Sequence, residues 1–174
     1  MVYKMSQTQV ERLFIKDNTS LAADSFRLTS DLSTSDADIT ANLERADSTL
    51  AGKLGTAMSQ SSGVFTFPST GIYLVTFNIV VNRVGASRYI GAQIYGTANN
   101  GTAWDSIALS YSSIDSGDGS NASYQHHQAS NFFDCVDTST HKVKFYVNAA
   151  ATCSFVGDSD RNTTSMVFQR VGNT

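Results

Sequence analysis

The chain of 174 residues has little charge and few of the residues that mark special chemistry. It contains one proline, one tryptophan and two cysteines, and only 16% of its residues are charged. Its net charge is -3 and its pI is near 5.4. Binding to a phosphate backbone requires an excess of Lys and Arg. Nucleic acid is therefore not predicted as a partner.

Long apolar runs are also missing. The N-terminal MVYKMSQTQVERLFIK lacks the continuous apolar stretch of a secretory signal peptide. No segment reaches the roughly 20 apolar residues of a membrane span. We therefore expect a chain without a signal peptide, synthesised in a cytoplasm and not inserted into a membrane.

The two cysteines, Cys135 and Cys153, lie in strand-like runs. Two cysteines are too few for the disulfide framework of a small secreted domain. Cysteine packs as a small hydrophobic residue, so buried free thiols are predicted, with a bridge between neighbouring strands as the alternative.

Motifs of catalysis are absent from the sequence. It has no GxSxG elbow, HExxH pair, phosphate loop or CxxC motif. Ser, His and Asp are common, but no pattern brings a nucleophile and a base together. The chain is predicted not to be an enzyme, with no catalytic or cofactor-binding residue.

Apolar residues that alternate with polar ones form the main positive signal. In GIYLVTFNIVVNR, the odd positions from Tyr73 to Val81 are apolar or aromatic, whereas Thr76 and Asn78 lie on the other face. HKVKFYVNA, TSMVFQRV, RYIGAQIYG, SIALSYSSI and residues 124–136 are further strand candidates. Small polar turns separate them, which is typical of a sandwich or barrel. The polar segment before Ile39 is predicted as turn, and Ile39 and Leu43 as one short edge strand.

Residues 1–20 are predicted to form an arm. Val10, Leu13 and Phe14 have helical spacing, and Thr8 and Glu11 fit a capping box at the start of a short helix. Such a helix is too short to persist alone. We expect the arm to become ordered against another protein or a neighbouring subunit.

The stretch GVFTFPSTGIYLVTFNI resembles the signature of the C1q-like family, which shares its jelly-roll fold with the tumour necrosis factors. The resemblance covers about residues 22–172 and implies an all-β, ten-stranded sandwich over residues 21–174. It also implies a homotrimer, with apolar side chains of one sheet around the threefold axis; Tyr95 and Tyr146, opposite the core, fit such packing. The matching residues are Gly63, Phe65, Phe67, Pro68, Gly71, Tyr73 and Phe77.

The chain is rich in Ser, Thr and Asn and has no collagen stalk or export signal. In these respects it resembles the C1q-like virion proteins of bacteriophages, especially those of marine cyanophages. This likeness implies a capsid decoration or cement protein on the virion surface, attached to capsid proteins through residues 1–20. The alternative is the trimeric tip of a tail or head fibre, a host adhesin in which Trp104, Tyr111, Tyr124 and Asp/Asn loops contact a glycan or surface protein. A soluble signalling ligand of the C1q/TNF type is disfavoured because no export signal is present.

Two loops have the oxygen-rich composition that calcium prefers, DSGDGSN at 115–121 and GDSDRN at 157–162. Their candidate ligands are Asp115, Asp118, Asp158 and Asp160, and ordinary turns are the alternative. His126 is a further candidate, because a trimer axis collects three imidazoles and these suit zinc. His127 is expected to point to the opposite face of the strand, and His141 is expected in a turn.

Overall fold

The computed structural model describes residues 21–174. This part of the chain is all-β, without a helix, and forms eleven strands, one more than the expected ten. None of the described residues forms a helix suited to cross a membrane. The predicted arm, with Val10, Leu13 and Phe14, lies outside the described residues. The strands are β1 (Ala23–Leu28), β2 (Leu32–Asp38), β3 (Leu43–Arg45), β4 (Ser59–Ser61), β5 (Val64–Thr66), β6 (Gly71–Arg83), β7 (Ser87–Thr97), β8 (Asp105–Ile114), β9 (Ser123–Cys135), β10 (Lys142–Phe155) and β11 (Ser165–Gly172).

The strands pair antiparallel and curl into two layers. One layer has the order β3-β1-β11-β6-β9, which we call the β6 layer. In the other, the β10 layer, β10 pairs with β7 on one side and with β2 and β5 on the other; β8 extends it beyond β7. Ring contacts such as Phe77 to Phe145, 5.1 Å between centroids, join the layers. In the described residues β8 and β9 lie side by side without a backbone ladder between them.

The period-two patterns place the core as predicted. Tyr73, Val75, Phe77, Ile79 and Val81 are fully buried along β6, and every second residue of β10 from Val143 to Ala149 is buried opposite them. Each large apolar side chain buried in this way contributes about 1.5–3 kcal/mol. These two strands form the centre of the sandwich, and the interaction surfaces lie on their outward faces.

The signature segment forms a tight corner between the layers. Gly63 lies in the turn before β5, Phe65 and Phe67 are buried, and Pro68, which has no N–H to donate, follows the end of β5. Tyr73 donates its hydroxyl to the carbonyl of Ser69 at 3.0 Å, which ties β6 back to the turn. Gly71 has φ +145°, and a Cβ there would meet the Arg170 guanidinium and the carbonyl of Gly172. Glycine is therefore required where β6 begins.

The prediction of turn before Ile39 is wrong. Residues 32–38 form strand β2, which pairs with β10, whereas Ile39 lies just after it and Leu43 begins β3. The turn between them contains Asn42 at φ 55°. Asp36 and Asp38 of β2 bond to Tyr146 and Lys144 of β10. An edge strand held by polar cross-strand pairs does not show apolar alternation. The sequence pattern therefore did not indicate a strand at residues 32–38.

Candidate functional site

The outward side of strands β6 and β9 exposes aromatic residues. Phe132 lies opposite Leu74, and Tyr124 lies opposite Asn82, at the two ends of the paired strands. Phe132 and Tyr124 are 63% and 66% exposed. We call this surface the β9 face. Both rings lie on the same outward side of the sheet, and large exposed apolar side chains on one side mark a candidate interaction surface.

A second aromatic group surrounds Lys144 on the outward side of the β10 layer. The Lys144 ammonium lies 5.4 Å from the ring centre of Tyr95 and 5.1 Å from that of Trp104. Its Nζ pairs with Asp38 at 2.8 Å. Tyr95 and Tyr146 meet edge to face with centroids 5.8 Å apart. Cation–π contacts and the ion pair therefore fix the positions of these rings.

Tyr111 and Tyr89 continue this surface along β7 and β8. Their rings meet edge to face at 5.8 Å, and Tyr111 is 55% exposed. The Tyr111 ring lies against Gly91, where a Cβ would come within 2.7 Å of the ring and would also clash with Oδ1 of Asn148. Gly91 thus lets the ring approach the sheet. We call the surface formed by Tyr89, Tyr95, Trp104, Tyr111 and Tyr146 the outer aromatic face.

The predicted glycan-contact residues divide between the two layers. Trp104 and Tyr111 belong to the outer aromatic face, and Tyr124 belongs to the β9 face. Tyr95 and Tyr146 do lie opposite the core, but on the β10 layer rather than beside Tyr124. Sequence reasoning missed Tyr89 and the role of Gly91, although a glycine inside an alternating strand signals close approach of another group.

A cavity of about 260 Å³ opens between β8 and β9, where the backbone ladder is missing. Asp105 and Asp134 line it, and neither carboxylate has a hydrogen bond or ion pair within residues 21–174. Asn131 spans the gap by donating from Nδ2 to the carbonyl of Ile107 at 2.5 Å. His141 also lines the cavity, and its Nδ1 lies 3.0 Å from Oγ1 of Thr140. Four separate segments form this cavity, so no local sequence pattern could reveal it.

The two acidic loops use their carboxylates to hold their own turns. Asp118 accepts from the backbone N–H groups of Ser120 and Asn121 at 2.9 and 2.8 Å, and these bonds lower its pKa to about 2. Asp158 accepts in the same way from Asp160 and Arg161, which lowers the pKa of Asp158.

Asp115 accepts from the N–H of Ser116 at 2.7 Å. Within residues 21–174 no three His, Cys, Asp or Glu side chains are grouped closely enough to hold a metal ion. Turn formation therefore accounts for the composition of these loops.

The adjacent histidines point to opposite sides of β9, as expected. His126 is exposed beside Val80 on the β9 face. His127 points toward β8, where its Nδ1 lies 2.9 Å from Oγ of Ser112. Desolvation by burial, with the neighbouring His126, lowers the pKa of His127. Its Nε2 and Oγ of Ser110 are buried without a partner in the described structure, so His127 joins the layers through one side-chain bond.

Cys135 and Cys153 are both buried and unbridged, which agrees with the prediction of free thiols. Burial raises the pKa of Cys135 to about 11 and also raises that of Cys153. The thiolate is the reactive form of cysteine, so both side chains are inert in the folded chain.

The fold is similar to solved structures of tumour necrosis factor-like proteins. Murine APRIL at pH 5.0 superposes with a TM-score of 0.63 at 12% identity, covering 87% of this chain and 100% of that one. Eiger TNF from S. frugiperda superposes with a TM-score of 0.62 at 14% identity, covering 88% and 94%. No protein-family model and no curated protein sequence matches the chain. At such low identity the likeness shows the fold alone, a TNF-like jelly roll, which agrees with the all-β jelly roll predicted from the sequence.

Proposed function

We propose that the chain is a non-enzymatic structural protein that assembles as a homotrimer through its β9 face and decorates the exterior of a bacteriophage capsid. The observation that carries the proposal is the exposure of Tyr124 and Phe132 on one layer of a TNF-like jelly roll. A surface of this kind is stabilised when a second copy covers it, and a rotation that closes after three copies gives a ring.

The β9 face has a chemistry suited to such a contact. Phe132 and Tyr124 are eight residues apart on β9, about 27 Å at the rise of an antiparallel strand. Between them, Thr76 lies opposite Ser130 and Asn78 opposite Gln128. Apolar contacts at both ends of the strand would exclude water, while the polar centre would set the register of the neighbouring subunit.

The capsid role is supported by the sequence resemblance to phage virion proteins. Each trimer would bind across neighbouring capsid subunits and oppose their separation under internal pressure. A contact of roughly 1,600 Å² in total is sufficient for specific attachment. Residues 1–20, with Val10, Leu13 and Phe14, would supply the attachment segment.

Native mass spectrometry tests the assembly. The full chain is expected as a trimer, and Phe132→Asp is expected as a folded monomer because it would place a charge in the contact. Tyr111→Asp, a matched change on the other layer, should remain trimeric. A wild-type chain that is monomeric at micromolar concentration would refute the trimer.

Copy number in purified particles tests the capsid role separately. A decoration protein should be present in hundreds of copies, and a fibre tip in a few dozen at most, so a low count favours the adhesin. In the full chain, the double substitution Leu13→Asp and Phe14→Asp should leave the trimer intact and abolish its attachment to the capsid. Unchanged attachment would show that residues 1–20 are not the attachment segment.

The adhesin remains a second proposed function because Trp104 and Tyr111 share one surface with three further aromatic rings. Such a surface has no evident role in trimer formation through the β9 face.

A further inference from the structure

Tyrosine and tryptophan are concentrated on one surface of the molecule. Of the six tyrosines and one tryptophan in residues 21–174, five form the outer aromatic face. Most phenylalanines are instead buried in the core. Tyr and Trp combine an apolar ring with a hydrogen-bonding group, which makes them the aromatic residues of wet binding surfaces.

Three rings of this face, those of Tyr95, Trp104 and Tyr146, are held in place before any ligand binds. Lys144 lies against Tyr95 and Trp104 and is itself fixed by Asp38. Tyr95 donates its hydroxyl to Gln93 at 3.1 Å, and Tyr146 donates to Asp36. A surface ordered in advance loses less conformational entropy on binding, which favours affinity for a flexible ligand.

The face is long enough for a chain of several units. Tyr89 and Tyr95 are six residues apart on β7, which corresponds to about 20 Å. Tyr111 lies near the Tyr89 end, and Trp104 lies near the Tyr95 end. Rings at both ends of a β-strand surface fit a linear ligand that stacks at successive positions.

Polar groups between the rings indicate the chemistry of that ligand. Gln93 and Asn148 lie on the same outward side as the tyrosines, and Oδ1 of Asn148, beside the exposed Tyr111 ring, accepts no hydrogen bond. A sugar offers C–H groups to the ring faces and hydroxyl donors to amide oxygens. Rotation of Tyr111 would open Asn148 to such a hydroxyl.

The charge of the outer aromatic face indicates whether it suits neutral or anionic sugars. The carboxylates of Asp36 and Asp38 balance the ammonium groups of Lys142 and Lys144 on this side of the β10 layer, and Lys144 is already paired. The surface therefore has no excess of positive charge to attract sulfated or phosphorylated chains. The face also lacks the continuous apolar centre of a stable protein interface, since its strongly exposed large apolar side chains are Leu109 and Tyr111. We propose that the outer aromatic face binds a neutral oligosaccharide. The inference is independent of capsid attachment and of trimer formation.

The single tryptophan of the chain, Trp104, is a direct reporter of binding. The full chain is first applied to an array of immobilised neutral and anionic glycans, and the best neutral oligosaccharide is then titrated while Trp104 fluorescence is recorded. We expect saturable binding to neutral glycans with a change in emission.

Tyr111→Ala and Gln93→Ala, which alter side chains outside the core, should each weaken the affinity about tenfold. Leu50→Ala removes a side chain that is 99% exposed in the loop between β3 and β4, outside both faces, and should leave the affinity unchanged.

Three results would overturn the inference. The first is an array without neutral glycan binding, or with binding to anionic glycans alone. The second is equal loss of affinity in Leu50→Ala and Tyr111→Ala. The third is a change of oligomeric state in Tyr111→Ala, which would make this face a contact between copies of the chain. The inference deepens the adhesin proposal, which rests on the same surface. Trimer formation and particle copy number are measured independently, so failure here leaves the trimer and the capsid role standing.

Discussion

Replacement of Gly71 by alanine tests the corner at the start of β6. Its φ of +145° is a conformation that side-chain-bearing residues rarely adopt, and strain of this kind costs about 1–3 kcal/mol. The added Cβ would also lie 2.7 Å from the carbonyl of Gly172 and would displace the Arg170 guanidinium. Arg170 is buried and donates from Nε to the carbonyl of Thr70 at 3.0 Å. Loss of this bond adds about 1–3 kcal/mol, so a total of roughly 2–6 kcal/mol is expected.

Gly85→Ala is the matched control, since Gly85 also has positive φ, +92°, but no atom lies within 4 Å of the added Cβ. Backbone strain alone should then cost about 1–2 kcal/mol. Urea unfolding at a fixed protein concentration, followed by Trp104 fluorescence, gives both free energies. Equal destabilisation of the two variants would refute the claim that close contact at the corner, rather than φ alone, requires glycine at position 71.

Three further predictions concern the core, the β8–β9 junction and the thiols. Phe145→Ala, at a site 1% exposed and packed on three phenylalanine rings, should reduce the free energy of unfolding by about 3–5 kcal/mol in the same urea assay. Because the folded pKa of His127 lies below its unfolded value near 6.5, the unfolded chain binds more protons as the solution becomes acidic. Stability should therefore be retained above pH 6.5 and fall below it, and His127→Gln should flatten this dependence in unfolding curves measured from pH 5 to 8. Cys135 and Cys153 should react with a thiol reagent at pH 8 only after denaturation, and rapid labelling of the folded chain would contradict their burial.

The strands that sequence reasoning predicted are those with one buried and one solvated side. In β6, and in β10 from Val143 to Ala149, this asymmetry produces a regular alternation, and the prediction of inward residues from Tyr73 to Val81 is confirmed. Strand β2 has polar residues on both faces, because its aspartates bond to Lys144 and Tyr146. An alternating pattern therefore detects strands that cover the core and misses those held at the edge by polar pairs.

The candidate surfaces show a second limit of prediction from apolar alternation. Alternation tells which side of a strand a residue occupies, and on that basis Tyr95 and Tyr146 were placed opposite the core. It does not tell which layer the strand joins, because that depends on pairing between distant segments, such as β10 with β7 and β6 with β9. Tyr124 was thus grouped with Trp104 and Tyr111, although the sandwich lies between them.

The separation of the two surfaces has a consequence for function. Packed sheets are about 10 Å apart, and the β9 face and the outer aromatic face point away from each other across that core. A trimer formed through the β9 face would therefore leave three outer aromatic faces free. Each site needs only weak affinity for a sugar, because three linked sites on one surface bind with an avidity well above that of a single site. Assembly and recognition would then reinforce each other without sharing a residue, so the proposed trimer and the proposed sugar site are compatible in one molecule.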